Sequence, residues 1–249
     1  MILAVDVGNT TVHFCTLKLE KDGWHFLHSR KYPTNGVSFP YFQDISLEPH
    51  LFEGAVLCSV VPKKEKTFVH MLKKEMGKQP IIVSAALESG LTLCVRKPEK
   101  LGADRIADAC GASVSVPLPL ITVDIGTATT LNVVDSKRRF RGGAIAPGLD
   151  TAMQSLENKT AQLNSEVLET PHHAIGTDTE ECLQSGVIFG TASLIEGLTE
   201  RVEQELGEPA SLVLTGGGSS YLDPLIRREH VTDPWLLMRG LAELYTKNC

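Results

Sequence analysis

Ala4-Val5-Asp6-Val7-Gly8-Asn9-Thr10-Thr11 stands near the start of the chain, and Thr122-Val123-Asp124-Ile125-Gly126-Thr127-Ala128-Thr129 repeats its pattern. In both stretches an apolar run ends in Asp-x-Gly, and small polar residues follow. The offset between Asp6 and Asp124 is close to half of the 249 residues. A repeat at this distance, with similar residues around each copy, predicts a duplicated structural unit.

The surroundings of the two stretches predict two similar groups of strands. β-Branched and aromatic residues separated by turn residues are typical of hairpins. The predicted strands are 2–7, 12–19, 24–32, 54–61 and 80–84 in the first half, and 120–124, 131–134, a segment reaching Gly142-Gly143, and 211–214 in the second.

Helical patterns occur at 63–76 and 179–206, and a last helix is predicted from Pro234 or Trp235 to Tyr245. In the longest, apolar residues recur at three- and four-residue steps, and Gly207 and Pro209 predict its end. The predicted apolar stripe is Val187, Thr191, Leu194, Leu198, Val202 and Leu206. The alternation of strands and helices predicts an α/β protein with mixed sheets and domains at 1–115 and 116–249.

Composition argues against several classes of protein. The formal net charge is -6, and the chain has no dense block of Lys and Arg, so nucleic-acid binding is not expected. No stretch approaches 18 apolar residues, and we expect no membrane span. The six cysteines are far apart without metal-ligand spacing, which favours reduced, mostly buried thiols and a cytoplasmic location.

Three glycine-rich elements each follow a predicted strand: Gly8-Asn9-Thr10, Gly126-Thr127-Ala128 and Gly216-Gly217-Gly218. Phosphate groups need close backbone N–H donors and hydroxyls, and these elements provide both. A neighbouring aspartate is suited to organise Mg²⁺, which prefers oxygen ligands. The P-loop pattern and the GxGxxG pattern are both missing, so the sequence favours neither of those nucleotide sites.

Gly102-Ala103-Asp104-Arg105 precedes the second Asp-x-Gly stretch and has two interpretations. In the structural one, Asp104 is a helix N-cap and Arg105 is a surface charge. In the functional one, Asp104 accepts a proton from a substrate hydroxyl and Arg105 binds a substrate carboxylate. The residues alone leave both open.

In combination, these motifs resemble the type III pantothenate kinases over nearly the whole chain. The matching stretches are Asp6-Val7-Gly8-Asn9-Thr10, Ser59-Val60-Val61-Pro62, Gly102-Ala103-Asp104-Arg105, Asp124-Ile125-Gly126-Thr127-Ala128, Gly142-Gly143-Ala144-Ile145-Ala146-Pro147-Gly148, Thr179 with Gln184-Ser185-Gly186, and Thr215-Gly216-Gly217. The resemblance implies two ribonuclease-H-like domains of the actin-like ATPase fold with ATP in the cleft between them. It also implies ATP-dependent phosphorylation of pantothenate to 4'-phosphopantothenate, the first step of coenzyme A biosynthesis.

The resemblance further implies roles for individual residues. Asp104 would be the catalytic proton acceptor, Asp6 would organise Mg²⁺ directly or through water, and Asp124 would bind a monovalent cation, K⁺ or NH₄⁺. ATP would be held by Asp6, Val7, Gly8, Asn9, Thr10, Thr11, Val12, His13, Thr127, Gly216 and Gly217. Pantothenate would be held by Gly102, Ala103, Asp104, Arg105 and, from the partner subunit of a homodimer, Thr179.

Two positions depart from the family pattern. Val95 stands where a tyrosine commonly contacts the acceptor, and Asp178 stands where an asparagine is common. Val95 therefore leaves open a kinase that acts on another small hydroxy acid or sugar. A third alternative is a non-catalytic ATP-binding regulator, which would not need Asp104 and Arg105.

Overall fold

The computed structural model describes residues 1–36, 40–157 and 168–249, and the chain forms two compact units. The first unit contains Met1–Val114 and Trp235–Cys249, and the second contains Ser115–Pro234. This division differs from the predicted one at the last helix, which packs with the first unit. Its residues Leu241 and Leu244 are buried in a core of that unit, beside Ile106.

The strands and helices follow one another in the order predicted for an α/β protein. The strands are β1 (Ile2–Val7), β2 (Thr11–Glu20), β3 (Gly23–Pro33), β4 (Gly54–Ser59), β5 (Ile81–Ile82), β6 (Thr92–Leu93), β7 (Leu120–Ile125), β8 (Ala128–Val134), β9 (Arg139–Pro147), β10 (Ser211–Thr215) and β11 (Val231–Thr232). The α-helices are α1 (Tyr41–Asp44), α2 (Pro62–Met76), α3 (Ala103–Ser115), α4 (Leu149–Glu157), α5 (Thr179–Leu206), α6 (Ser219–Leu222) and α7 (Leu236–Lys247). Short 3₁₀ helices cover Pro49–Leu51, Pro98–Lys100 and Asp223–Leu225.

The first unit is built on a mixed sheet with the strand order β3-β2-β1-β4-β5. Strands β1, β2 and β3 are antiparallel neighbours, whereas β4 is parallel to β1. Side chains alternate between the faces of a strand, so β1 contributes to two cores. Leu3 and Val5 pack with α2 on one face, and Ile2 and Ala4 pack with α3 and α7 on the other.

The second unit repeats this arrangement. Its strands run in the order β11-β10-β7-β8-β9, with β7, β8 and β9 antiparallel and β10 parallel to β7. Residues of α4, α5 and α6 cover one face of the sheet, where Ile121 and Val123 of β7 are buried. The predicted α/β class with two mixed sheets is thereby confirmed.

The two Asp-x-Gly stretches form equivalent turns. Asp6 lies opposite His13 in the β1–β2 pair, and Asp124 lies opposite Thr130 in the β7–β8 pair. The Gly8 N–H donates to the Thr11 carbonyl at 3.0 Å, and the Gly126 N–H donates to the Ala128 carbonyl at 3.0 Å. The first turn is longer than the second by one residue.

Helix α5 has the predicted bounds, but the residues of its apolar stripe are not all buried. Leu194 is 37% exposed, whereas Ile188, Ile195 and Thr199 are fully buried. Apolar residues occur around more than half of this helix, so periodicity alone does not identify the face that packs on the sheet. Gly207 ends the helix in the left-handed conformation, as predicted.

The six cysteines divide equally between buried and exposed positions. Cys15, Cys58 and Cys110 are buried, whereas Cys94, Cys182 and Cys249 are exposed, so half rather than most of the thiols are buried. Among the described residues, no helix is both long enough and apolar enough to cross a bilayer.

Candidate active site

The first predicted phosphate loop connects β1 to β2 and exposes Asn9 and Thr10. Thr34 holds the loop from the end of β3. Its N–H donates to the Thr10 carbonyl at 2.9 Å, and its hydroxyl donates to the Gly8 carbonyl at 2.7 Å. These bonds occupy loop carbonyls, so the backbone of the loop is held in one shape before any ligand arrives.

His13 lies half-buried across the hairpin from Asp6. Its Nε2 atom is 2.7 Å from the Ser29 hydroxyl, and its ring centroid is 5.9 Å from that of Trp235. Burial, together with the charge of Lys31, lowers the pKa of His13 to about 4. His13 is therefore neutral near pH 7 and can offer a hydrogen bond to a phosphate, but not a full positive charge.

Asp104 lies in the first turn of α3, one residue after the helix begins at Ala103. Its Oδ1 atom accepts a hydrogen bond of 2.8 Å from the Arg105 N–H. The interpretation of Asp104 as the N-cap residue is thus wrong by position, although the carboxylate does bind a first-turn amide. Burial raises the pKa of Asp104, and the hydrogen bond and positive charge of Arg105 act against that rise.

Cys58 is a buried neighbour of Asp6. It is fully buried in β4, directly beside Asp6 in the parallel β1–β4 pair. Burial raises the pKa of the Cys58 thiol, and so do the charges of Asp6, Asp104 and Asp108 and a hydrogen bond that the thiol donates to Asp6. The charges of Asp6, Asp104 and Asp108 therefore all act on this side chain, which our sequence interpretation did not identify.

Asp124 is the last residue but one of β7 in the second unit, and backbone atoms lie close to its carboxylate. Thr215 of β10 pairs with it in parallel register, and Gly216 follows with φ +86°. A Cβ on Gly216 would overlap the Asp124 Oδ1 atom and lie 2.6 Å from the Ile125 carbonyl oxygen. Both Asp124 carboxylate oxygens would lie 3.6 Å from a Cβ on Gly126. Any residue other than glycine at position 216 would therefore displace the Asp124 carboxylate.

Thr127 is held in the second turn by residues that follow β9. Its carbonyl accepts hydrogen bonds from the Gly148 N–H at 3.1 Å and from the Thr151 hydroxyl at 2.6 Å. A Cβ on Gly148 would be 2.8 Å from the same oxygen. Helix α4, which contributes Thr151, was not predicted from the sequence.

Thr179 is the first residue of α5 and is exposed. Asp178 caps the helix, because its Oδ1 atom accepts from the Glu181 N–H at 2.8 Å. Glu181 reaches back to the N–H and the hydroxyl of Thr177, at 2.7 Å each. Aspartate and asparagine are equally good N-caps, so the departure at Asp178 preserves the start of the helix.

The predicted cation sites at Asp6 and Asp124 differ from a group of side chains that is suited by geometry to hold a metal ion. Among the described residues, Glu20, Asp22 and His25 are a group that could supply three side-chain ligands within 4.8 Å of one another, at the β2–β3 turn. Asp6 and Asp124 are not in that group. Mg²⁺ is commonly bound by one or two carboxylates, water and substrate phosphates, which fits Asp6.

Solved structures with a similar fold define the general class. The chain superimposes on component A of (R)-2-hydroxyglutaryl-CoA dehydratase from Acidaminococcus fermentans with a TM-score of 0.57 and 17% identity, over 98% of this chain and 96% of that one. The ethanolamine utilization protein EutJ from Carboxydothermus hydrogenoformans gives 0.54 and 13%, over 97% and 89%. A Baf family protein from Campylobacter jejuni, described as a transcriptional activator, gives 0.62 and 20%, over 98% and 97%. The protein thus has the actin-like ATPase fold.

Sequence comparison then identifies the family within that class. The model of the type III pantothenate kinase family matches residues 2–201. The type III pantothenate kinase of Phenylobacterium zucineum is 32% identical over 257 residues, covering 100% of this chain and 98% of the relative. The enzyme of Exiguobacterium sibiricum is 34% identical over 253 residues, covering 100% of each. The chain belongs to the type III pantothenate kinase family, which confirms the resemblance.

Proposed function

We propose that this protein transfers the γ-phosphoryl group of ATP to the primary hydroxyl of pantothenate, which begins coenzyme A biosynthesis. The observation that carries the proposal is that Asp6 lies on the face of the first sheet on which the helix of the Asp104 motif packs, in a chain that its family model matches from residue 2 to 201. In this proposal the Asp6 carboxylate serves the phosphate donor and the Asp104 carboxylate serves the acceptor. Phosphoryl transfer needs them close together, because it depends on positioning and on charge neutralisation.

Asp104 is the residue that we assign to the acceptor hydroxyl. A free aspartate has a pKa near 3.9 and is a weak base. Burial raises the pKa of Asp104, which strengthens it as a proton acceptor. Arg105, whose guanidinium stays protonated, would bind the pantothenate carboxylate, and Gly102 and Ala103 would approach the substrate through their backbone. The proton would move from the hydroxyl to a carboxylate oxygen of Asp104 as the new P–O bond forms.

ATP would be bound by residues of both glycine turns. The N–H groups and hydroxyls of 8–11 suit the phosphate oxygens, and His13 would act as a neutral hydrogen-bonding group. Thr127, Gly216 and Gly217 would contact the nucleotide from the second unit. Bound Mg²⁺ at Asp6 and K⁺ or NH₄⁺ at Asp124 would neutralise phosphate charge. The protein's own part is to hold these carboxylates in place, and Gly216 does this for Asp124.

Two further proposals follow from family membership, and a departure from the family pattern supports a third. Thr179 would contact pantothenate bound to the partner subunit of a homodimer, and its exposure at the start of α5 is compatible with this. The active protein would be cytoplasmic, where ATP and the thiol-based products of the pathway are found. Val95 favours a second candidate, a kinase with a different small hydroxy acid or sugar as acceptor.

The direct test is ADP release with MgATP and K⁺, in the presence and absence of pantothenate. We expect release to depend on pantothenate and to collapse when Na⁺ replaces K⁺. Asp104→Asn should lose at least about 100-fold in kcat, whereas Asp22→Asn, at an exposed turn, should leave kcat unchanged. Release that depends instead on another hydroxy acid or a sugar would support the second candidate, and ATP binding without any acceptor-dependent release would support the non-catalytic regulator.

A further inference from the structure

Cys58 occupies a position that the proposed roles of the motif residues leave unexplained. It is fully buried in β4, and its neighbours in the same core are Ala4 of β1 and Ala103 and Ile106 of α3. This core lies between the sheet and the helix that begins with the acceptor motif. A polar side chain in such a core needs a partner, and the Asp6 carboxylate provides one.

The strand register explains why the thiol reaches Asp6. In the parallel β1–β4 pair, Asp6 lies beside Cys58 and Ala4 lies beside Val56. Ala4, Val56 and Cys58 all belong to the core under α3, so the Asp6 and Cys58 side chains share the face on which α3 packs. Asp104 in the first turn of that helix and Asp108 one turn later both act on the same thiol through their charges.

We propose that Cys58 is a positioning residue that fixes the Asp6 carboxylate beside Asp104. The inference rests on the proposed function, in which Asp6 serves the phosphate donor and Asp104 the acceptor. Carboxylates held near one another, here those of Asp6, Asp104 and Asp108, repel, and a neutral donor bound to Asp6 opposes that repulsion without adding a charge that would compete with a cation. The thiol is small enough for the closely packed space below α3 and supplies one S–H donor.

The chain contains a matched control in Cys15. It is also fully buried, it belongs to the same core, and it lies on β2 beside Ala4 rather than beside a site carboxylate. Cys58→Ala and Cys15→Ala therefore remove the same atom from the same core, and only the first removes a donor from Asp6. Cys58→Ser restores a donor at the site.

The test measures two quantities for each variant: the Mg²⁺ concentration that half-saturates ADP release, and the rise in melting temperature on adding MgATP. We expect Cys58→Ala to raise the half-saturating Mg²⁺ concentration about tenfold, because it removes a hydrogen bond to a charged group. The rise in melting temperature on adding MgATP should become smaller. Cys15→Ala should match the wild-type protein in both. Cys58→Ser should stay within about threefold of wild type, because its hydroxyl is also a donor.

Two results would overturn the proposal: equal behaviour of Cys58→Ala and Cys15→Ala, or a Cys58→Ser variant no better than Cys58→Ala. If Cys58→Ala is too unstable to assay, Cys58→Val removes the donor while filling the space, and the same comparison applies. A wild-type protein without pantothenate-dependent release would refute the proposed function alone. The MgATP-induced change in melting temperature would then still test whether Cys58 supports Asp6.

Discussion

Gly240 of α7 is in direct backbone contact with Ala107 of α3, so that a Cβ on the glycine would overlap the Ala107 carbonyl oxygen and lie 2.6 Å from its carbonyl carbon. Gly111 of α3 makes the reciprocal contact, since its Cβ would lie 2.5 Å from the Leu236 carbonyl oxygen. Two helices can approach this closely only where side chains are missing. The contact fixes α3, and with it Asp104, against the C-terminal helix.

Gly240→Ala should therefore destabilise the first unit. The added methyl group meets rigid backbone, and overpacking of this kind costs about 1–3 kcal/mol. The measurement is urea unfolding followed by circular dichroism. Gly190→Ala in α5 is the control, because nothing lies within 4 Å of a Cβ there, and we expect it to be stabilising by up to about 1 kcal/mol. Equal stability of the two variants would contradict the close contact.

Gly216→Ala should impair the second unit through Asp124. The alanine would be strained at φ +86° and would displace the carboxylate, at a cost of about 1–3 kcal/mol in stability. We also expect a higher K⁺ requirement for ADP release, because the displaced carboxylate binds the cation less well. Gly217→Ala has open space around its Cβ and serves as the control for stability, measured by thermal unfolding. An unchanged K⁺ requirement in Gly216→Ala would argue against Asp124 as the cation ligand.

Asp104→Asn should make the protein more stable at pH 7 even though it removes activity. Burial raises the pKa of Asp104, so the folded state binds its proton more tightly than the unfolded state does. Stability from this group is therefore present at low pH and lost as pH rises through the folded-state pKa. The asparagine keeps the acceptor for the Arg105 N–H and removes the buried charge. Melting temperatures from pH 4 to 8 should show an advantage of the variant that grows with pH, and a constant difference would contradict the assigned shift.

His13 should make the protein less stable as pH decreases, which is opposite to the effect of Asp104. Its folded-state pKa of about 4 is below the ordinary value of 6.5, so the unfolded chain binds a proton between these values and the folded protein does not. Stability should fall as pH decreases from 6.5 to 4, by at most about 1.4 kcal/mol per pH unit. His13→Gln should flatten this slope in urea unfolding experiments.

His25→Gln provides a comparison of opposite sign for His13→Gln. Asp22 raises the pKa of His25 through a hydrogen bond, so His25 contributes stability at low pH that is lost as pH rises. Its substitution should leave the slope between pH 4 and 6.5 unchanged and remove only a small loss of stability above pH 6.5. If His25→Gln flattened the slope between pH 4 and 6.5 as much as His13→Gln does, the burial of His13 would not be its cause.

The local elements could be predicted from the sequence because near-neighbour patterns determine them. The bounds of β1 and α5 match those predicted, and Gly207 ends α5 as expected. The duplication was visible because the turns after Asp6 and Asp124 both need small residues to close. The short α4 was missed, since its nine residues contain too few turns for a helical period to stand out.

Tertiary structure alone decided which of these residues meet. Nothing in the sequence near Cys58 marks it as the partner of Asp6, because the parallel β1–β4 register that joins them forms between strands separated by 46 residues, 8–53. The affiliation of α7 with the first unit likewise depends on a contact between Gly240 and Ala107, which are far apart in the chain. The sequence determined the strands, turns and chemical groups through local conformational preference. Packing determined their convergence, because strand register and helix contact are set by the burial of side chains that are distant in sequence.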